Sequence, residues 1–378
     1  MLRQKRPWTL ESQPANQWPA VTVTDFDYFL PPGLIAQHPM PERDQSRLMI
    51  LDRAEGKSNH RHFPDMLDCL RPGDVLVLND SKVIPARLRA LNSRSGGEFE
   101  VLLLEENAPN DWWTLMRPGK RAQPGLRIIF KNRSGEPTGV RATVTETNSE
   151  GHRRLRFDGT ADIAKDLDAL GEVPLPPYVK RDAADNLRDD VDRYQTVYAR
   201  ANGSVGAPTA GLHFTEKLLD QTHARGVQVC YVTLHVGLGT FAPVKTATLA
   251  GHVMHEERFV IEDPTARLVN QARPEGRRVI AVGTTTVRVL ESVAAAHQGR
   301  LVPGAGRTRI FIHPPFRFRL VDALLTNFHL PRSTLLMLVS AFAAPGEMRG
   351  RDIILGAYAE AVRQRYRFFS YGDAMLII

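Results

Sequence analysis

One pattern recurs along this chain and limits what it can fold into. A short apolar run stops abruptly in a polar junction carrying glycine or proline, and a helical stretch tends to follow. Val75 to Leu78 empties into Asn79-Asp80-Ser81-Lys82, and Val227 to Leu234 ends on His235 with Gly237, Gly239 and Thr240 behind it. Arg278 to Val282 meets Gly283-Thr284-Thr285-Thr286 and then a helix over Val287 to Ala296. Leu320 to Leu325 feeds Asn327-Phe328-His329-Leu330-Pro331, after which Ser333 or Thr334 can cap a helix through Phe342. Strands alternating with helices predict an α/β fold. The β-branched run Val227 to Leu234 reads as a strand covered on both faces, as parallel strands are. In such sheets the polar junctions gather at the strands' C-terminal edge, where ligands bind. The pattern therefore predicts one pocket that brings together His213, His235, Thr284, Thr285 and His329.

The stretch from Gly206 to Pro243 is the densest part of this pattern. A loop of small and hydroxyl residues delivers His213, and Thr215 can cap a helix that stops at Gly226. A lone histidine in such a place more often only hydrogen-bonds nearby backbone. Three at matching ends of strand-loop-helix units favour at least one in a binding site.

From Arg87 to Glu172 the texture changes. Short runs at Phe99 to Leu104, Trp112 to Met116, Leu126 to Phe130, Val140 to Val144 and Arg154 to Phe157 are separated by Gly, Pro, Asn and Ser turns. They predict a small antiparallel barrel or sandwich. The expected organisation is a disordered N-terminal extension at 1–24, a larger α/β domain at 25–86 and 173–378, and a β-barrel domain inserted at 87–172. Short helices are expected at Pro64 to Leu70 and Pro264 to Ala272. The charge-rich stretch Arg181 to Arg193 reads as a solvated loop, and Tyr371, beside Gly372 and Asp373, as exposed.

Composition narrows the function classes. The 378 residues carry 49 Lys plus Arg against 42 Asp plus Glu, a net charge of +7 that favours a polyanionic partner without proving one. Only Cys69 and Cys230 are present. They exclude a disulfide framework, a four-cysteine zinc site and a cysteine-held iron–sulfur cluster. No run is apolar enough to span a membrane, and Trp8, Gln13 and Pro14 stand where a signal peptide needs apolar residues, so a cytoplasmic location is expected. Gly56-Lys57-Ser58 is no P-loop, because Leu51 stands where the first glycine is required. Gly237 and Gly239 have no third glycine of a dinucleotide fingerprint. His252-Val253-Met254-His255-Glu256-Glu257 lacks the spacing of a helical zinc site, so no metal is expected; a carboxylate orienting a histidine, or a solvated charge cluster, fits it better.

Taken together, PMPERDQSRL, RPGDVLVLNDSKVIPARL, LPPY, YQTVYA, GAPTAGLHF, VTLHVGLGTFAPV, MHEE, VGTTTVRVLES, TNFHLPRSTLLMLVSAFA and YRFFSYGDAM closely resemble the S-adenosylmethionine:tRNA ribosyltransferase-isomerases of queuosine biosynthesis, from Asp25 to the C-terminus. Asn79-Asp80-Ser81-Lys82 departs from the Asn-Asn-Thr-Arg common there. The resemblance implies an α/β domain with an inserted β-barrel. It also implies a reaction in which S-adenosylmethionine is consumed as a substrate. Its ribosyl part passes to 7-aminomethyl-7-deazaguanine (preQ1) at the wobble position of a tRNA, giving epoxyqueuosine with release of adenine and methionine. No metal and no membrane are implied, and a monomer is expected.

For that chemistry, His213, His235, His329 and Glu257 are the candidates for acid/base work. Thr209, Thr284 and Thr285 suit a carboxylate or ribose hydroxyls near helix N-termini. Arg43, Arg47, Lys82, Arg87 and Arg288 suit tRNA phosphates and the modified base. Asn79 and Ser81 join the substrate-binding candidates, and Tyr371 is a stacking candidate for an unstacked base. The competing readings are an ordinary S-adenosylmethionine methyltransferase, a non-catalytic tRNA-binding module, and a metal-dependent hydrolase built on HVMHEE.

Overall fold

The structure is a computed structural model and describes residues 21–181, 187–237, 244 and 246–378. At its centre lies the strand Val75–Asn79, all five residues buried. It pairs in parallel with Gln228–Leu234 on one side and Val279–Val282 on the other, and the latter pairs in parallel with Ala323–Asn327. Ala374–Ile377, Arg47–Asp52 and Lys57–His62 extend the sheet beyond Ala323–Asn327, while Glu257–Ile261 and Gly304–Thr308 extend it beyond Gln228–Leu234. The result is a mixed sheet of nine strands.

Alternation along the strands sorts the side chains between two cores. Val75, Val77, Cys230, Val232, Val279 and Ala281 point to one face, which is covered by the helices Asp263–Ala272, Thr284–Ala296, Thr334–Ala343 and Gly350–Arg363. Leu76, Leu78, Ile280 and Val282 point to the other, under the 3₁₀ turn Phe63–Cys69 and the helix Glu216–Ala224. The chain leaves the central strand for one neighbour and later returns to its other neighbour. That reversal opens a crevice at the strands' C-terminal ends.

Six strands form a separate closed antiparallel barrel: Arg87–Asn92, Glu98–Ala108, Asp111–Arg117, Arg153–Asp158, Pro137–Thr147 and Arg127–Lys131, the last pairing back onto the first. Phe99, Trp112, Phe130, Leu155 and Phe157 fill it together with Ile163 and Leu167 of the helix Ile163–Leu170. Closure removes the open edges of so small a sheet. We propose that 87–172 is an inserted domain, because this core is filled almost wholly from within that range.

Three expectations need correction. Gln228–Leu234 is not covered on both faces: Cys230, Val232 and Leu234 are buried, but Val229, Tyr231 and Thr233 are half-buried and Gln228 is exposed. The helix on that side, Glu216–Ala224, is short and covers only part of the strand. Of the stretch 181–193, residues 182–186 lie outside the described residues, and the rest does not read as a solvated loop: Leu187–Arg193 is helical and Arg181 pairs with buried Asp190 at 2.7 Å. Much of the proposed extension, 1–20, lies outside the described residues, yet order begins before Asp25: Thr22 bridges Thr248 and Val23 is buried.

Candidate active site

The crevice holds a cavity of about 600 Å³ whose wall is drawn from the strand-end junctions: Ala207–Ala210, Val236, Gly283–Thr285 and Thr326–Ser333, closed by Pro177, Tyr178, Phe369 and Ser370. Local sequence explains how each piece arrives there. Gly283 has φ +88, which lets the chain turn directly from strand into helix and leaves the first turn of Thr284–Ala296 with no side-chain cap. Its unpaired N–H groups face the cavity end of the helix, a natural seat for an anion. Gly211 answers a different need. A Cβ there would lie 2.0 Å from the Tyr198 hydroxyl, so only glycine lets the 3₁₀ turn Thr209–His213 pass.

The three histidines separate. His329 lines the cavity: its Nε2 meets Thr326 Oγ1 at 2.9 Å, and Nδ1 has no hydrogen-bond partner among the described residues. Its backbone is clamped, the N–H by Tyr358 at 3.0 Å and the carbonyl by the Tyr28 hydroxyl at 2.5 Å. Burial pushes its pKa down to about 3, so the ring is neutral. His213 is held down to about 3 as well, by burial and then by Arg367 and Arg43, but it does not line this cavity. It lies behind the cavity wall, with Nδ1 at 2.8 Å from Ser46 Oγ, Nε2 at 3.1 Å from Asn327 Nδ2 and its ring tilted against Phe63. His235 also stays outside the cavity lining. It packs against Gly203, and burial, then Arg258, lowers its pKa. The predicted common pocket therefore receives His329, Thr209, Thr284 and Thr285, touches His213 through Asn327, and leaves His235 out.

The other candidates spread widely. Asn79 is spent on the fold: its side chain brackets Leu234 through two backbone bonds of 3.0 Å and reaches Thr285 Oγ1 at 3.3 Å. It aligns the strand end with the helix start without lining the cavity. Ser81 is buried with its hydroxyl unpartnered, and Lys82 is exposed beside it. Glu257 and Arg288 form a buried ion pair, and Glu257 also receives the Gly237 N–H at 3.3 Å. The two thus join Gly237 to the helix that opens at Thr284; Gly239 and Thr240 lie outside the described residues. Neighbouring Glu256 pairs with Arg307 at 2.8 Å and with Arg309 at 3.1 Å, so the MHEE string serves as a junction of ion pairs.

Arg43 donates to the carbonyls of Leu212 and Asp192, Arg47 stacks 3.8 Å over Tyr366, and Arg87 reaches the Leu175 carbonyl. Tyr371 is not exposed: at 4% it is buried against Tyr194 and bonds Asp190 at 3.3 Å. The turn at Phe369-Ser370 folds its ring inward, so it is not available for stacking in this structure. Sequence reasoning passed over Thr326, Asn327, Tyr178 and Ser370, which all line the cavity. The strand-end rule that selected His329 already covered Thr326 and Asn327, which stand in the same junction.

The sequence matches the family described as "Queuosine biosynthesis protein" over residues 23–377. Among solved structures, a crystal structure of S-adenosylmethionine tRNA ribosyltransferase from Thermotoga maritima is similar at 39% identity and a TM-score of 0.51, covering 94% of this chain and 100% of that one. The match spans both sheets and every junction around the cavity. The chain belongs to the queuosine biosynthesis protein family, the S-adenosylmethionine:tRNA ribosyltransferase-isomerases that its motifs resemble.

Proposed function

We propose that this protein transfers and isomerises the ribosyl part of S-adenosylmethionine onto preQ1 at the wobble position of tRNA, forming epoxyqueuosine and releasing adenine and methionine. The observation that carries this reading is one cavity that combines an uncapped helix N-terminus with a neutral, partly free histidine. Its size lies in the usual range for small-molecule sites, about 300–1,000 Å³. Its wall is mostly apolar, from Ala207, Ala210, Val236, Leu335 and Phe369, which suits a purine. The carboxylate of the methionine part sits at Thr284 and Thr285, where the helix N-terminus favours negative charge. Thr209 serves a ribose hydroxyl.

In this reading His329 is the base. With its Nε2–H donated to Thr326, the lone pair on Nδ1 is free to take a proton from the carbon beside the sulfonium, whose positive charge acidifies it. Adenine then departs with a proton, the neutral aminomethyl group attacks the opened sugar, and methionine leaves as a thioether. The net charge of +7 and exposed Lys82 favour approach of the tRNA backbone. Arg288 and Glu257 act by holding the helix Thr284–Ala296 and Gly237 in place, and Asn79 aligns Leu234 with Thr285 from the central strand.

The test is to incubate the protein with S-adenosylmethionine and preQ1-bearing tRNA and to separate the small molecules. Adenine and methionine in equal amounts, with an epoxycyclopentanediol group on the tRNA, are the expected products. S-adenosylhomocysteine in their place would make the protein a methyltransferase.

A further inference from the structure

One buried polar atom in the cavity wall has no use in the fold. Asn327 lines the cavity and is 2% exposed, and its Oδ1 has no hydrogen-bond partner among the described residues. Buried acceptors are almost always paired, so an unpaired one in a ligand cavity calls for a donor from the ligand. The direction of the amide is settled by its neighbours. Nδ2 lies 3.4 Å from the Phe369 carbonyl, which can only accept, so turning the amide over would set two oxygens against each other. The same Nδ2 meets His213 Nε2 at 3.1 Å, which makes Nε2 the acceptor and puts the ring proton on Nδ1, towards Ser46 Oγ at 2.8 Å. Ser46 passes on to the Arg43 carbonyl at 3.4 Å. Phe369 holds φ +75, a costly conformation for a residue with a side chain, and with it the carbonyl that fixes the amide.

We propose that Asn327 is the residue that reads an amino group of the sulfonium substrate, its Oδ1 accepting a substrate N–H, and that His213 is a positioning residue that holds the amide in this sense. The inference rests on the function proposed above. It departs from the acid/base role expected for His213, because both ring nitrogens are already committed. Two N–H sources share this chemistry: the exocyclic amine of the adenine and the α-ammonium of the methionine part.

The experiment measures base release at saturating preQ1-bearing tRNA with S-adenosylmethionine and two analogues, one with hydrogen in place of the purine amine and one with hydrogen in place of the α-amino group. Wild-type protein is expected to lose about 10- to 100-fold in kcat/KM with one of them, which identifies the group that is read. Asn327→Ala should lose a similar factor with S-adenosylmethionine, mainly in KM, and no longer distinguish that analogue. His213→Ala should raise KM and blunt the discrimination without moving the pH profile of kcat, and His213→Gln, which restores an acceptor, should recover part of it. Equal use of both analogues by the wild type overturns the proposal without recourse to any variant, as does undiminished discrimination in Asn327→Ala. No base release by the wild type with S-adenosylmethionine would instead overturn the function on which the proposal rests.

Discussion

The cavity and the junction between sheet and barrel carry different kinds of polar group. At the junction, Glu105 of the barrel is held by Arg258 and Arg307 of the sheet's outer strands, Arg307 and Arg309 hold Glu256, and Arg288 closes on Glu257. These carboxylates all have cationic partners. At the cavity the side-chain polar groups are hydroxyls, an amide, a neutral imidazole and the guanidinium of Arg332, which is paired with Asp27; among the described residues His329 Nδ1, Asn327 Oδ1 and the first N–H groups of Thr284–Ala296 are left open. Desolvation makes an unpaired polar group expensive, so an open group in a cavity wall calls for a ligand; at the junction each of these carboxylates is paired, while Arg258 Nε and Arg288 Nη2 are left without a partner among the described residues. The buried ion pair is the reason Glu257 and Arg288 are proposed as support for the site.

Four experiments press on this contrast, in descending order of effect. His329→Gln should lower turnover by about 10²- to 10⁴-fold while near-ultraviolet circular dichroism stays that of the wild type; unchanged turnover would place the cavity's free histidine alongside the structural ones. Arg288→Met leaves the Glu257 carboxylate buried without its cation, and chemical denaturation should register a loss of about 3–5 kcal/mol. Should it lose less than about 1 kcal/mol, the pair is not the support inferred here.

The third concerns pH. His329 takes up a proton only near pH 3 when folded but near 6.5 when unfolded, so its contribution is complete above about pH 6.5 and is lost as pH falls towards 3. Between pH 6 and pH 4 the wild type should lose stability more steeply than His329→Gln, by about 1.4 kcal/mol per pH unit. Parallel slopes would mean that the ring is not kept neutral. Last, Glu105→Gln should cost no more than about 1 kcal/mol, because its arginines are partly exposed, and the difference should shrink in high salt. A larger, salt-insensitive loss would show that the junction is sealed from water.

Much of the architecture was open to sequence reasoning because it depends on neighbours along the chain. Apolar runs of four to eight residues, a capping Ser333 or Thr215, and glycine at the strand-to-helix turn each act within a few residues, and the strands and helices stand close to where these signals put them. The many short runs with turn signals at even spacing left a barrel or a sandwich open, and the pairing of Arg87–Asn92 with Arg127–Lys131 decided for closure. His329, Thr284 and Thr285 were selected by the same logic, since a strand's end marks the sheet edge that carries ligands.

Other features depended on residues that meet only in three dimensions. Asp190 buries against Arg181 and Tyr371, although the charge-rich stretch around it has no apolar period to predict burial. His213 and His329 look equivalent in sequence, both in junctions and both buried. Asn327 and Ser46, 114 and 167 residues away from His213, take both of its nitrogens, while His329 keeps one. Local sequence thus determined which elements form and which residues stand at their ends, because hydrophobic period and backbone preference are short-range. Only the tertiary structure decided which of those residues keep an open bond, because hydrogen-bond partners come from strands brought together by the order of the sheet.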